Sequence, residues 1–144
     1  MAVPKPEPGL VICYAYLWYG EALAGQEEGA KDRPCAIVLA SEEAEGETVV
    51  TVAPITHTPP GDPDAAVEIP LATKKRLGLD NARSWVIVNE TNRFVWPGPD
   101  LRPISRNTNE FAYGFLPPKL FRQVRERLVT YYRANRLKTM RRSD

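Results

Sequence analysis

The chain has few of the residues on which many enzyme sites depend. Its 144 residues include one histidine, His57, and two cysteines, Cys13 and Cys35. One histidine excludes an acid–base pair of two histidines within the chain. Two cysteines are too few for a structural zinc site. Both lie in apolar runs, which favours buried free thiols over a disulfide.

Long apolar segments and the common phosphate- and metal-binding motifs are also missing. No run of about 18 or more apolar residues occurs, so we expect no membrane-spanning helix. The first nine residues, MAVPKPEPG, lack the apolar core of a signal peptide, so we expect a cytoplasmic location. Nucleotide-binding glycine loops and the HExxH zinc motif are absent. The carboxylates form no metal-binding cluster in the sequence, so we expect no metal and no other cofactor.

The small net charge conceals an asymmetry along the chain. The formal net charge is +1, yet residues 117–144 hold nine Lys or Arg and two acids. Residues 1–116 hold ten Lys or Arg and sixteen acids, so the two parts carry +7 and −6. A basic C-terminal part predicts either an acidic partner or a solvated helix face.

Short β-branched and aromatic segments between turn residues predict a mostly β protein. The predicted strands are 10–19, 35–40, 48–55, 66–71, 84–90 and 93–96. An amphipathic helix is predicted over 117–138, with Leu120, Val124 and Leu128 in its apolar stripe. This pattern is typical of an α+β arrangement with a bent antiparallel sheet or, equally, of a small SH3-like barrel with appended helices. We expect one domain over 9–138, preceded by a flexible proline-rich segment, 1–8, and followed by a basic tail, 139–144.

Arg33 is the first candidate functional residue. It lies just before an apolar strand in KDRPCAIV (31–38), and Pro34 stiffens the start of that strand. A planar, permanently charged guanidinium held at a strand end matches a phosphate. The alternative is an ordinary ion-pair partner in solvent.

The second candidate is the segment that contains the only histidine. Thr56, His57 and Thr58 follow a predicted strand and are held by two further prolines. The hydroxyls can contact a phosphate or an oxyanion, and the imidazole can act as acid, base or stacking surface. The alternative is a turn whose hydroxyls bond their own backbone. If 35–40 pairs antiparallel with 48–55, Arg33 and Thr56 lie beside each other.

A third candidate is NETNRFVW (89–96). Glu90, Asn92 and Arg93 can read an RNA base by hydrogen bonds, with aromatic residues nearby for stacking. The alternative is a tight turn with the two aromatic residues in the core.

Four segments, in this order and spacing, resemble the PemK/MazF family of toxins from bacterial toxin–antitoxin systems. They are PGLVICYAYLWYG (8–20), EEGAKDRPCAIVLAS (27–41), VAPITHT (52–58) and YGFLPPKLFRQVRERL (113–128). The second is similar to the family's Arg-Pro step before an apolar strand. The third is similar to its Ile-Thr pair at a strand end.

The resemblance implies an SH3-like small barrel of the CcdB/PemK type with a C-terminal amphipathic helix, assembled as a homodimer. It implies a metal-independent, sequence-selective endoribonuclease that cuts single-stranded RNA, usually mRNA. The 2′-hydroxyl attacks the adjacent phosphate and leaves a cyclic phosphate and a free 5′-hydroxyl. By carry-over, Arg33 is the catalytic acid and phosphate stabiliser, and Thr56 is the second catalytic residue. The implied partner is a small antitoxin protein.

Two features depart from the family pattern. The loop 21–32 is rich in acid, which either opposes phosphate binding or marks a movable flap. His57 has no counterpart that we can map, and it and Thr58 are candidates for an assisting role. Two alternatives therefore stay open: a non-cleaving SH3-like module that binds nucleic acid or protein, and a toxin directed at DNA gyrase.

Overall fold

The computed structural model of the chain describes residues 3–25, 31–43 and 45–142. Within these ranges the strands are β1 Leu10–Tyr14, β2 Arg33–Glu42, β3 Thr48–Thr56, β4 Ala66–Glu68, β5 Trp85–Ile87, β6 Glu90–Val95, β7 Ala112–Phe115 and β8 Lys138–Arg141. The helices are α1 Tyr19–Leu23, α2 Leu71–Arg76 and α3 Pro118–Arg133, with one 3₁₀ turn at Pro63–Ala65. Parts of three predicted segments, the N-terminal segment, the acidic loop and the basic tail, lie outside the described residues.

The β2–β3 hairpin is the centre of the sheet, as the sequence predicts. The two strands pair antiparallel from Glu42 opposite Thr48 to Cys35 opposite Pro54. The acidic turn between them is closed by a hydrogen bond of 2.8 Å from the Glu43 N–H to the Glu47 carbonyl. The predicted neighbourhood of the β2 start and the β3 end depends on this hairpin.

The other strands extend the sheet on both sides of the hairpin. β1 pairs with β2, and β7 pairs with β1. On the other side, β3 pairs with β6 along its first half and with β5 at its last two residues. β4 pairs with β5, and β8 pairs with β6 in the one parallel contact of the described strands. In the part of the chain that the structure describes, the fold is a mostly antiparallel sheet that does not close.

Both faces of the central strands are buried, which explains their continuous apolar runs. Ile12, Cys35 and Ile37 belong to the core on one face. Val11 and Ala36, one residue away, belong to the core on the other face. Successive side chains of a strand alternate between faces, so a strand covered on both sides is apolar at most of its positions. Cys13 and Cys35 are buried free thiols, as predicted.

α3 covers one of these faces with the predicted apolar stripe. Leu120 and Val124 are buried, and Leu128 packs against them at its rim. Of the two adjacent tyrosines, Tyr131 is buried and Tyr132 is 69% exposed. Among the described residues, no helix is both long and apolar enough to cross a bilayer.

α3 ends five residues earlier than the predicted boundary at 138. The Asn135 N–H bonds the Tyr132 carbonyl at 3.1 Å, and the Arg136 N–H bonds the Tyr131 carbonyl at 2.8 Å. These two bonds, with Asn135 at φ 60°, form a Schellman motif. The chain then reverses into β8, which overlaps the segment 139–144 predicted as a basic tail.

We expect Asn135→Gly to raise the free energy of unfolding by about 0.5 kcal/mol, because glycine adopts positive φ without the Cβ clash. Urea unfolding followed by circular dichroism measures the change. Gln123→Gly, on the exposed side of α3, is the matched control and should lower stability by about 1 kcal/mol. A loss of stability in Asn135→Gly would contradict the assigned role.

β1 also ends earlier than predicted, at Tyr14 rather than at residue 19. The chain leaves the sheet where the Ala15 N–H bonds the Asp100 carbonyl at 2.9 Å. The short helix α1 follows, in a segment predicted as a loop, and the Glu21 carboxylate accepts from the Trp18 N–H at 3.0 Å. This turn places Trp18 above the start of β2.

Candidate functional site

Arg33 and Thr56 lie side by side at one end of the β2–β3 hairpin. Cys35 of β2 lies opposite Pro54 of β3. Continuing this register by two residues places Arg33, the first residue of β2, opposite Thr56, the last residue of β3. Opposed residues of an antiparallel pair project from the same face. The structure therefore brings together the two side chains that the sequence singled out.

Two cavities meet at this point, and we call their combined space the strand-end cleft. Four residues line both cavities: Lys31, Arg33, Thr56 and His57. The smaller cavity, of about 150 Å³, is also lined by Lys74, Asp80 and Ser84. The larger, of about 390 Å³, is also lined by Trp18, Thr58, Pro59, Pro60 and Ile87. One part of the cleft is thus charged, and the other is bounded by rings and apolar side chains.

Arg33 enters the cleft with an unused donor. Its Nε is buried, and no hydrogen-bond partner for it is found in the described part of the chain. Its guanidinium carbon lies 4.9 Å from the centroid of the Trp18 ring. Stacking on a ring leaves the N–H edge of a guanidinium free to bind an anion. Since the Nε is shielded from solvent, a bound anion would meet the rest of the guanidinium, and Arg33 lines both cavities.

Thr56 has one hydrogen bond to its own backbone and one hydrogen left to donate. Its Oγ1 accepts from the Thr58 N–H at 3.1 Å, so the turn considered from the sequence does form. Accepting uses an oxygen lone pair, and the hydroxyl keeps its own hydrogen for a group in the cleft. Thr58 is exposed and lines only the larger cavity.

A chain of charged groups lies behind His57. The Nε2 of His57 is 2.7 Å from Oδ2 of Asp80. The other oxygen, Oδ1, is 2.6 Å from Nζ of Lys74, whose side chain is only 2% exposed. This ammonium also donates to Oγ of Ser84 at 2.6 Å and to the Ala82 carbonyl. All three of its hydrogens therefore have acceptors, which a buried ammonium requires.

The Lys74 contact determines the charge of Asp80. The hydrogen bond from Lys74 is the largest influence and holds the pKa of the Asp80 carboxyl below its usual range. The charges of His57 and Lys74 and the Ala82 N–H act in the same direction. Asp80 is therefore a carboxylate at neutral pH.

Charges of both signs line the smaller cavity, with the cations in excess by one. Lys31, Arg33 and Lys74 oppose Asp32 and Asp80. Each acid lies beside a cation, because Asp32 Oδ1 is 3.6 Å from the Arg102 guanidinium and Asp80 bonds Lys74. The cleft thus offers an anion one uncommitted guanidinium edge despite the nearby acids.

Two of the candidates from 89–96 lie elsewhere and hold the polypeptide rather than line the cleft. Glu90 accepts from the Tyr16 hydroxyl and from the Tyr19 N–H, each at 3.0 Å. Burial raises the pKa of the Glu90 carboxyl, and these two hydrogen bonds oppose that rise. Asn92 is fully buried and bonds both the N–H and the carbonyl of Leu17 at 2.8 Å. Its amide is therefore not available to an RNA base.

Arg93, the remaining candidate of this group, projects from the opposite face of β6. Its guanidinium lies 3.4 Å from the Glu43 carboxylate, near the acidic turn of the β2–β3 hairpin. Neither Glu90, Asn92 nor Arg93 lines the strand-end cleft. The aromatic residues of the segment pack in or against the core, as the alternative interpretation has it: Phe94 is 3% exposed, and Trp96 packs beside it.

Trp18, Lys31, Lys74 and Asp80 are among the residues of the cleft that sequence reasoning missed. Lys74 lies in a run of three basic residues that reads as a solvated helix face. Asp80 returns to it because Gly78, at φ 73°, turns the chain after α2, and the Leu79 N–H bonds the Lys74 carbonyl at 2.9 Å. Gly78 was the one usable signal, since it predicts a sharp turn but not the group that the turn reaches.

Among the described residues, no group of three or more His, Cys, Asp and Glu is arranged to hold a metal ion.

Comparison with known proteins adds no name to this site. No family model matches the chain, and no curated protein matches it significantly. The geometry of the cleft and the resemblance of the four segments are therefore the basis for a function.

Proposed function

We propose that the chain is the toxin of a type II toxin–antitoxin system and a metal-independent, sequence-selective endoribonuclease acting on single-stranded RNA. The observation that carries this proposal is the pair of donors in the strand-end cleft. Arg33, with its guanidinium, and Thr56, with its hydroxyl, line the same two cavities. They are also the two residues to which the PemK/MazF resemblance assigns catalysis.

The pair matches what RNA cleavage without a metal requires. The 2′-oxygen bonds to the adjacent phosphorus, and the bond from phosphorus to the 5′-oxygen breaks. The 2′-hydroxyl loses its proton to a base that the cleft or the solvent supplies, and the 5′-oxygen takes one from the Arg33 guanidinium, which regains it from water. Arg33 and the Thr56 hydroxyl stabilise the charge that grows on the phosphate oxygens. DNA lacks the 2′-hydroxyl and is not a substrate.

The proposal includes the rest of the family architecture. An SH3-like barrel would be formed by the bent sheet and α3, and two copies would form a homodimer in the cytoplasm. The exposed arginines of α3, including Arg122, Arg125 and Arg133, support an acidic antitoxin segment as the partner protein. A disordered acidic tail gains affinity from such a surface by charge complementarity.

In EDTA, the wild type should cleave a long single-stranded RNA of mixed sequence and leave cyclic phosphate and 5′-hydroxyl ends. We expect Thr56→Ala to lower the rate about 100-fold, because it removes one donor to the phosphate. Gel time courses give the rates, and labelling by polynucleotide kinase without prior phosphatase treatment identifies the 5′-hydroxyls.

Thr130→Ala is the matched control for this assay. Its hydroxyl bonds the Glu126 carbonyl of its own helix at 3.0 Å, away from the cleft. It should cleave at the wild-type rate. RNA left intact by folded wild type, cleavage that stops in EDTA, or equal rates for the two threonine variants would contradict the proposal.

A non-cleaving binding module is the second candidate, and the two acids of the smaller cavity favour it. Asp32 and Asp80 lower the local positive potential that would stabilise the charge growing on the phosphate oxygens during cleavage. This candidate predicts retention of intact single-stranded RNA, or of a protein segment, with an affinity that Arg33→Ala weakens. Fluorescence anisotropy with a labelled RNA oligonucleotide, beside the cleavage assay, separates the two.

A further inference from the structure

His57 lies at the meeting point of the two cavities of the strand-end cleft. It lines both of them, as do Arg33 and Thr56. Its side chain is 59% exposed, so a bound molecule can reach the ring. Since the chain has one histidine, any imidazole chemistry belongs to this residue.

The partner of His57 determines which ring nitrogen is free. An ionised carboxylate only accepts hydrogen bonds, so Nε2, at 2.7 Å from Asp80, must carry the ring proton. In the neutral imidazole the other nitrogen, Nδ1, is then an acceptor with an available lone pair. Asp80 is itself held by Lys74, which α2 and the turn at Gly78 bring to it. The orientation of the ring thus depends on a buried ammonium behind it.

We propose that His57 is the general base of the RNA cleavage reaction and that Asp80, held by Lys74, is its positioning residue. This inference rests on the proposed ribonuclease function. Nδ1 of His57 takes the proton of the 2′-hydroxyl as the 2′-oxygen bonds to phosphorus and the 5′-oxygen leaves. The imidazolium that forms is stabilised by the Asp80 carboxylate and returns its proton to water after the products leave. Arg33 and Thr56 keep the roles assigned above.

The charged groups around the ring are compatible with this role. The smaller cavity is lined by three cationic side chains, Lys31, Arg33 and Lys74, and by two acidic ones, Asp32 and Asp80. Asp80 is the acid that contacts the ring, whereas Asp32 lies toward Arg102. A base without such a carboxylate would form its imidazolium beside cations alone, at a higher cost.

The ring tautomer is tested first, by a measurement that does not depend on activity. The protein is labelled with ¹⁵N in histidine, and the two ring nitrogens of the single residue are read in alkaline buffer, where imidazole is neutral. We expect the proton on Nε2. In Asp80→Asn, the NMR correlation between this proton and Nε2 should be broadened or lost. A proton on Nδ1 would overturn the proposal.

Kinetics then test the role in catalysis, with an RNA oligonucleotide that contains one cleaved site. We expect His57→Ala to lower kcat about 100-fold and to leave KM within about twofold of the wild-type value. Added imidazole should raise the kcat of this variant at least about tenfold. His57→Gln should show the same loss without rescue, because the filled site leaves no room for imidazole. Asp80→Asn should lower kcat about tenfold.

Controls separate this inference from the function on which it rests. Glu68→Gln neutralises an acid in an exposed ion pair with Arg83 and should keep the wild-type kcat. Asp80→Asn also deprives Lys74 of its carboxylate, so its fold is checked by thermal unfolding, and the His57 variants leave that pair intact. If the wild type cleaves RNA and His57→Gln is equally active, the role of His57 as a base is contradicted and the ribonuclease function stands. No cleavage by the wild type removes both proposals, whatever the tautomer.

Discussion

Replacing Arg33 with alanine is expected to lower the rate of RNA cleavage about 1,000-fold. Arg33 lines both cavities of the cleft, and its guanidinium stacks on the Trp18 ring, which places its charge for a bound phosphate. Removing a donor that faces developing charge costs about 100- to 1,000-fold, and a cationic donor lies at the upper end. Initial rates on single-stranded RNA in EDTA, with circular dichroism to verify folding, measure the effect.

The chain offers a close control for this variant. Arg83 lies over the Trp85 ring at 5.0 Å, as Arg33 lies over Trp18 at 4.9 Å, but it does not line the cleft. Arg83→Ala should therefore cleave at the wild-type rate. Arg33→Lys keeps the charge but loses the planar fork and should recover only part of the activity. Equal rates for Arg33→Ala and Arg83→Ala would show that the cleft is not the catalytic site.

Replacing Asn92 with alanine is expected to lower the free energy of unfolding by roughly 3 kcal/mol, the largest stability effect that we predict. Its buried amide satisfies both the N–H and the carbonyl of Leu17, in a segment that belongs to no strand. Its oxygen also accepts from Arg142 at 3.2 Å. Alanine leaves these backbone groups buried and unpaired, and urea unfolding measures the cost.

The same variant connects stability with the cleft. Leu17 precedes Trp18, so releasing Leu17 also loosens the ring on which Arg33 stacks. We expect Asn92→Ala to cleave RNA more slowly even where it is fully folded. Asn81→Ala makes the same chemical change at an exposed position and should alter stability by no more than about 0.5 kcal/mol. A similar small change for Asn92→Ala would contradict the assigned role.

Local pattern was sufficient for the hairpin and for the neighbourhood of Arg33 and Thr56. Two apolar segments separated by an acidic turn pair antiparallel, which brings the start of β2 close to the end of β3. The register shift between Ile37 and Leu39, which the pattern does not predict, then sets Arg33 opposite Thr56. The stripe of α3 followed from the spacing of Leu120, Val124 and Leu128 in the same way. These features depend on residues near one another in the chain.

The segment 89–96 shows where local pattern fails. Polar residues at a strand end look the same in sequence whether they face a ligand or another part of the chain. Here Glu90 and Asn92 face residues more than 70 positions away, Tyr16 and Leu17, which come to β6 only when the sheet forms. The end of α3 is a second example. Asn135 is a residue type that often ends helices, but the strand that follows it forms only by pairing with β6.

The sequence by itself determined the mostly β architecture, the buried thiols, the C-terminal helix, and the pairing that sets Arg33 beside Thr56. Only the tertiary structure decided what surrounds that pair. Trp18 reaches Arg33 because β6 holds the segment before it, and Asp80 reaches His57 because buried Lys74 fixes the turn after α2. Such contacts join distant segments through hydrogen bonds that are strong only once water is excluded, so no local pattern records them.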